Sequence, residues 1–212
     1  VTMPLDEKWR FGIGAYGISG LGVDYRNSGF DLDGNPANGY EGDLYTRLEI
    51  MKFAPMLSYM VNEDFAVGIA GNATYNNLDL GAGGTHDYAY GVQLGALYTM
   101  GICKLGFNYT SSEKSTFDRV YNFDAFMGDT EMDSLDLEAP ASYGLGFAVE
   151  PNEVFLVEVD LRLIEWDEAE GYKDFDWDQQ WVLSLGAQYK PTAKSALRIG
   201  YNYGENPVKE HN

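Results

Sequence analysis

Apolar residues fall at every second position of this chain, segment after segment, and that period constrains the fold more than any other feature. From Tyr88 to Tyr98 the stripe is Tyr88, Tyr90, Val92, Leu94, Ala96 and Tyr98, with Ala89, Gly91, Gln93, Gly95 and Leu97 between. Neighbouring side chains of a strand point to opposite faces, so this spacing predicts strands with one apolar face and one small or polar face. Nine such strands are expected, over residues 9–25, 44–61, 65–75, 88–100, 102–110, 135–149, 154–166, 180–190 and 196–203. Tyr and Trp mark the ends of the apolar stripes, while Gly, Ser, Asn and Gln fill the opposite face. That is the pattern of an antiparallel up-and-down transmembrane β-barrel, greasy toward lipid and polar toward a lumen.

Composition excludes several alternatives. The 212 residues are enough for one all-β domain, taken here as a single partial barrel over residues 1–212. The net charge of -19 excludes nucleic acid as a partner, because phosphate binding needs the opposite sign. No apolar run approaches the roughly 18 residues of a membrane helix. The single cysteine, Cys103, allows no intrachain disulfide and no cysteine metal cluster. It shares a face with Leu105 and Phe107 and reads as a small hydrophobe. His86 lies in a loop and His211 at the end of the sequence, and neither sits in a Ser–His setting that a lipase would need. No enzyme activity, cofactor or metal is therefore expected. No signal peptide is visible at Val1, so the chain is expected to be a mature protein, a fragment or a partial one.

The connections alternate in length. Short turns fall at 62–64, 100–101, 150–153 and 191–195, and long loops at 26–43, 76–87, 111–134 and 167–177. A meander puts all the short turns at one end and all the long loops at the other, as in outer-membrane barrels. A Greek-key sandwich would rarely sort its loops this way. The long loops hold 17 of the 33 acidic residues and only four basic ones, Arg26, Lys114, Arg119 and Lys173. Asp31, Asp33 and Asn35 hint at calcium, but Pro36 and Gly42 stand where an EF-hand needs Gly and Glu, so the match fails.

Charges mark the expected lumen. Glu158, Asp160 and Arg162 alternate along one strand, and Arg47, Glu49 and Arg198 are assigned to the same side of the barrel. A charge facing lipid near the midplane costs about 2–4 kcal/mol, so these groups are expected to form a polar lumen network. The strand over 9–25 departs from the rule: its apolar face shrinks to Ala15, Gly17 and Ser19, flanked by Gly20 and Gly22, before Leu21, Val23 and Tyr25 resume. Glycine inside a strand marks a bulge, a kink or a close approach. Pro55 predicts a second bulge or break.

With these features the chain resembles the FadL/TodX family of outer-membrane transporters of long-chain fatty acids and aromatic hydrocarbons. The resemblance is carried by Trp9-Arg-Phe-Gly-Ile-Gly, Gly20-Leu-Gly-Val-Asp-Tyr25, Pro55-Met-Leu-Ser-Tyr59 and Phe65-Ala-Val-Gly-Ile69. Leu135-Asp-Leu-Glu-Ala-Pro140, Gly144-Leu-Gly-Phe147, Asp160 to Trp166 and Leu185-Gly-Ala-Gln-Tyr189 continue it, and Leu197-Arg-Ile-Gly-Tyr201 with Asn206-Pro-Val208 end it. The family barrel has fourteen strands and an N-terminal hatch. The nine strands would match its third to eleventh, without the hatch, and Asn35-Pro36-Ala37 in an outer loop matches the hatch motif by coincidence. Nine strands leave open edges that lipid does not tolerate, so the chain is expected to be a piece of the barrel.

The resemblance implies a bacterial outer-membrane location and passive uptake of a hydrophobic small molecule. Outer-membrane lipid and lipopolysaccharide are the implied surroundings, and the oligomeric state stays open. It also implies release sideways through a kinked strand, with Ala15, Gly17, Ser19, Gly20 and Gly22 falling at the kink. Two alternatives stay open: a general or structural porin-like barrel, and a soluble lipocalin-type barrel.

Overall fold

The computed structural model describes residues 1–25, 45–81, 83–121 and 131–209. Twelve strands run through these residues: β1 (Thr2–Pro4), β2 (Trp9–Asp24), β3 (Tyr45–Met60), β4 (Phe65–Asp79), β5 (Thr85–Met100), β6 (Cys103–Thr110), β7 (Glu113–Tyr121), β8 (Asp133–Ala139), β9 (Ser142–Asn152), β10 (Phe155–Ile164), β11 (Gln180–Thr192) and β12 (Ser195–Gly204). Ten form one antiparallel meander, β1-β2-β3-β4-β5-β6-β9-β10-β11-β12, while β7 and β8 pair only with each other. Among the described residues the sheet is open, with β1 and β12 at its edges. It is the wall of a barrel and not the whole of one.

The short turns lie at one end and share a local cause. Asp6 Oδ1 accepts the Lys8 and Trp9 amides at 2.7 Å each. Asn62 Oδ1 accepts those of Asp64 and Phe65 at 2.9 and 2.8 Å. Asn152 Oδ1 does the same for Val154 and Phe155 at 3.0 Å. Each side chain replaces the partner that the backbone loses as the ladder ends. At the fourth corner Gly101 takes φ 59°, which only glycine adopts freely.

The register sorts the faces. Ile69, Leu94, Tyr109, Tyr143, Leu163 and Trp181 pair in turn across six strands, and Leu145, Leu161, Leu183 and Tyr203 form a parallel row. Among the described residues most of these side chains stand exposed; Leu145 is 52% exposed and Tyr203 55%. An apolar surface of this extent needs an apolar solvent. Aromatic pairs bound it: Trp9 with Tyr59 (ring centres 4.6 Å apart), Phe65 with Tyr98 (6.3 Å) and Phe155 with Tyr189 (4.9 Å) on the turn side. Tyr75 with Tyr88 (5.5 Å) stands about ten residues farther along β4 and β5. At about 3.4 Å per residue and a tilt near 45°, that separation is roughly 24 Å of height, the thickness of an outer-membrane apolar band. Cys103 lies half-buried on this face, opposite Val149.

Several expectations change. The loop over 76–87 shrinks to the corner after Asp79, because β4 and β5 extend beyond the band. Asp79 Oδ1 caps this corner by accepting the Gly81 and Gly83 amides. The expected loop over 111–134 contains β7, and the expected strand over 135–149 breaks at Pro140 and Ala141 into β8 and β9. A proline has no amide for the ladder, so the piece before it leaves the wall. At Pro55 the β3–β4 pairing lapses between Phe53 and Met56 and resumes in the same register, a break without a bulge. The loop over 26–43, with Asp31, Asp33, Asn35 and Gly42, lies outside the described residues, as does His211.

The buried core lies on the polar side of the sheet. Leu78, Phe117 and Val120 are 3%, 1% and 0% exposed and pack with Leu48, Leu80, Leu135 and Leu137. The β7–β8 hairpin therefore folds inward, over the lumen face of the wall.

Candidate functional site

The run of small residues in β2 contains a bulge. Gly17 pairs with Met51 and Ser19 with Ile50, so Ile18 is the extra residue. One extra residue reverses the alternation. Ala15 and Gly17 stay on the outer face opposite Phe53 and Met51, Ser19 turns inward, and Gly20 and Gly22 come to the outer face opposite Glu49 and Arg47. Leu21 and Val23 thus face the lumen with Leu48 and Thr46, where the alternation alone had placed them outward. A side chain added at Gly17 or Gly20 would meet nothing within 4 Å. From Gly14 to Val23 the second edge of β2 carries no strand among the described residues.

The expected lumen network divides. Glu158, Asp160, Arg162 and Arg198 lie on the lumen face, with Asp160 opposite Gly146 and Ser184. Among the described residues no ion pair joins them, and Arg198 Nε donates to Gln188 Oε1 at 2.7 Å. Arg47 and Glu49 do not belong with them. β3 keeps one register along its length, so both share the face of Met51 and Phe53 and stand at its far end. They pair with each other there at 2.5 Å, and Asn77 Nδ2 donates to Glu49.

A different polar cluster fills the lumen face of β3 to β5. Lys52 Nζ lies 2.7 Å from Glu113 Oε1, with side chains only 12% and 3% exposed. Asn72 Nδ2 donates to the same oxygen at 2.9 Å, and Thr74 Oγ1 donates to Glu113 Oε2 at 3.0 Å. One turn of the ladder farther on, Asn76 Nδ2 donates to Ser115 Oγ at 2.5 Å. Sequence reasoning missed this cluster by reading Glu113 and Ser115 as loop. The signal was present in Asn72, Thr74 and Asn76, three polar residues two apart on one strand, answered by Glu113, Ser115 and Phe117 at the same spacing.

The outer end is tied together by the hairpin and the loop over 165–178. The Glu138 amide donates to the Glu170 carbonyl at 3.0 Å, and the Glu170 amide to Glu138 Oε2 at 3.2 Å. Lys114 pairs with Asp136 at 2.7 Å, and Lys173 with Glu170 at 2.6 Å. The Lys114 ammonium and then the Thr116 hydroxyl hold the Asp136 carboxyl below its ordinary range. In the loop Trp166 packs on Tyr172 and Trp177, ring centres 4.7 and 5.1 Å apart, and burial raises the Tyr172 hydroxyl. Among the described residues no three His, Cys, Asp or Glu side chains are grouped to hold a metal.

An open antiparallel wall with a lipid-facing apolar band and inward-folded polar segments defines a transmembrane β-barrel of the bacterial outer membrane. The sequence model of the outer membrane protein transport family (OMPP1/FadL/TodX) matches residues 82–212, and the chain belongs to that family. No curated protein matches the sequence. Among solved structures, a Pseudomonas aeruginosa FadL homologue superposes with a TM-score of 0.73 at 17% identity, covering 98% of this chain and 59% of its own. The Pseudomonas putida toluene transporter TodX gives 0.71 at 18% identity, over 99% of this chain and 68% of its own. The monoaromatic hydrocarbon channel CymD gives 0.67 at 17%, over 97% and 67%. At these identities the likeness concerns the fold. The chain spans about three fifths of the FadL homologue's length.

Proposed function

We propose that the protein takes up a hydrophobic small molecule passively across the outer membrane, and that it is not an enzyme. The observation carrying this reading is the Ile18 bulge, with open space at Gly17 and Gly20, in β2, whose second edge from Gly14 to Val23 carries no strand among the described residues. A bulge bends a strand and interrupts its pairing where two residues oppose one. An apolar ligand that leaves the lumen there passes into the bilayer without exposing its surface to water. Family membership and the structural likeness to hydrocarbon channels support the substrate class, a long-chain fatty acid or a monoaromatic hydrocarbon. Ala15, Gly17, Ser19, Gly20 and Gly22 are the residues of the lateral opening in this reading.

The test is Gly17→Trp in the full-length protein. Uptake of a labelled fatty acid or of toluene falls, while the heat-resistant folded band on a denaturing gel is kept. Undiminished uptake counts against the lateral route. A second reading, a general porin-like barrel, draws on Glu158, Asp160 and Arg162, which share the lumen face of β10. It predicts uptake of polar solutes that Gly17→Trp leaves unchanged.

A further inference from the structure

We infer that the paired strands β7 and β8 form an inward-folded strap, latched at Glu113, that narrows the outer half of the lumen and bars polar solutes. Its stem lies over the lumen face of β4 and β5, with Lys52 reaching it from β3, and joins that face at two successive inward positions. Glu113 meets Lys52, Asn72 and Thr74, and Ser115 meets Asn76. Beyond them Phe117 seats against Leu78. Gly91 is small for this reason: a Cβ there would lie 2.7 Å from Glu113 Cγ and 2.8 Å from Ser111 Oγ. A wall face that merely lined a wet channel would need neither a buried carboxylate nor a glycine cut to receive it.

The seam is a latch rather than a permanent core. Asn72 Oδ1 and Asn76 Oδ1 are buried beneath the strap with no hydrogen-bond donor among the described residues. Buried orphan acceptors oppose docking, since they would be hydrated if the strap lifted. The Lys52–Glu113 pair has the opposite effect. Removing one partner leaves the other charge buried and uncompensated. Glu113 is thus the residue on which docking depends most.

The experiment uses Glu113→Lys and the swap Lys52→Glu with Glu113→Lys, in the full-length protein reconstituted in planar bilayers. Placing two ammonium groups together should raise the undocked fraction on the order of 100-fold or more. Ion conductance then rises in Glu113→Lys and returns toward the parent value in the swap. A second readout uses Ser115→Cys, a near-isosteric change at a residue 2% exposed, in a Cys103→Ser background and follows a membrane-impermeant thiol reagent. Labelling together with increased conductance, both reversed in the swap, supports the strap. Labelling without increased conductance means the hairpin lifts but bars nothing, and overturns the inference. No labelling and no conductance change means Glu113 is not the latch, and overturns it as well. The readout is ionic, so it stands or falls apart from hydrophobic uptake.

Discussion

Leu185 and Ser184 are neighbours in β11 and should respond to the same substitution in opposite ways. Leu185 lies in the middle of the apolar band, between Val159 and Tyr201, and 44% of it is exposed to whatever surrounds the wall. Ser184 lies on the other face, between Asp160 and Asn202. An arginine facing lipid at the midplane costs about 2–4 kcal/mol, a factor of about 30 to 700 in the folding equilibrium. An arginine at 184 meets the Asp160 carboxylate, which no cation pairs among the described residues, and costs close to nothing. The assay is reversible unfolding by guanidinium in phospholipid bilayers, followed by tryptophan fluorescence. Leu185→Arg should lower the unfolding free energy by the full amount and Ser184→Arg by less than a third of it. Equal losses, or a larger loss at Ser184, would refute the assignment of the faces and with it the reading of the sheet as a barrel wall.

Phe117→Ala removes the largest side chain of the buried cluster and should cost about 3–5 kcal/mol of strap docking, read as lost hydrogen-exchange protection in β7 with β4 unaffected. Gly91→Ala should cost about 1–3 kcal/mol by the same readout, because Glu113 is held by three partners and cannot yield. Gly95→Ala, on the same face with its nearest contact at 3.8 Å, should cost far less. The pairing at Asp136 is pH-dependent with a fixed sign. Its carboxyl is held low in the folded state, so the stabilisation is present above the ordinary carboxylate pKa and is lost as pH falls through the lowered value. Exchange protection of β8, corrected for intrinsic rates, should fall in that acidic window and not change above it. High salt should shrink the effect, since the pair is exposed.

The alternation from Tyr88 to Tyr98 was enough to give the fold class, because a wall between lipid and lumen imposes its period on every strand. It was not enough to give partners. The odd-numbered apolar rhythm from Leu135 to Phe147 runs unbroken through Pro140, although β8 folds into the lumen and β9 stays in the wall. Period two reports a two-faced strand, not what lies beside it. Faces were likewise legible only until a register shift: Ile18 turns Leu21 and Val23 inward, and nothing in Gly17-Ile18-Ser19 says which residue is the extra one. Charge excludes the lipid face and so marks Arg47 and Glu49 as lumenal in the sequence. The strand instead extends past the band, where an outward charge meets water. The Lys52–Glu113 pair was hidden by distance, since its partners are 61 positions apart and meet only when the hairpin folds inward.

The most direct test of uptake compares two solutes of similar size, one apolar and one polar, in cells that depend on the full-length protein for entry. The account predicts that toluene or a labelled long-chain fatty acid enters faster than in cells lacking the protein, with no change on adding a protonophore, while the polar solute does not. Entry of the polar solute with no gain for the apolar one would contradict it.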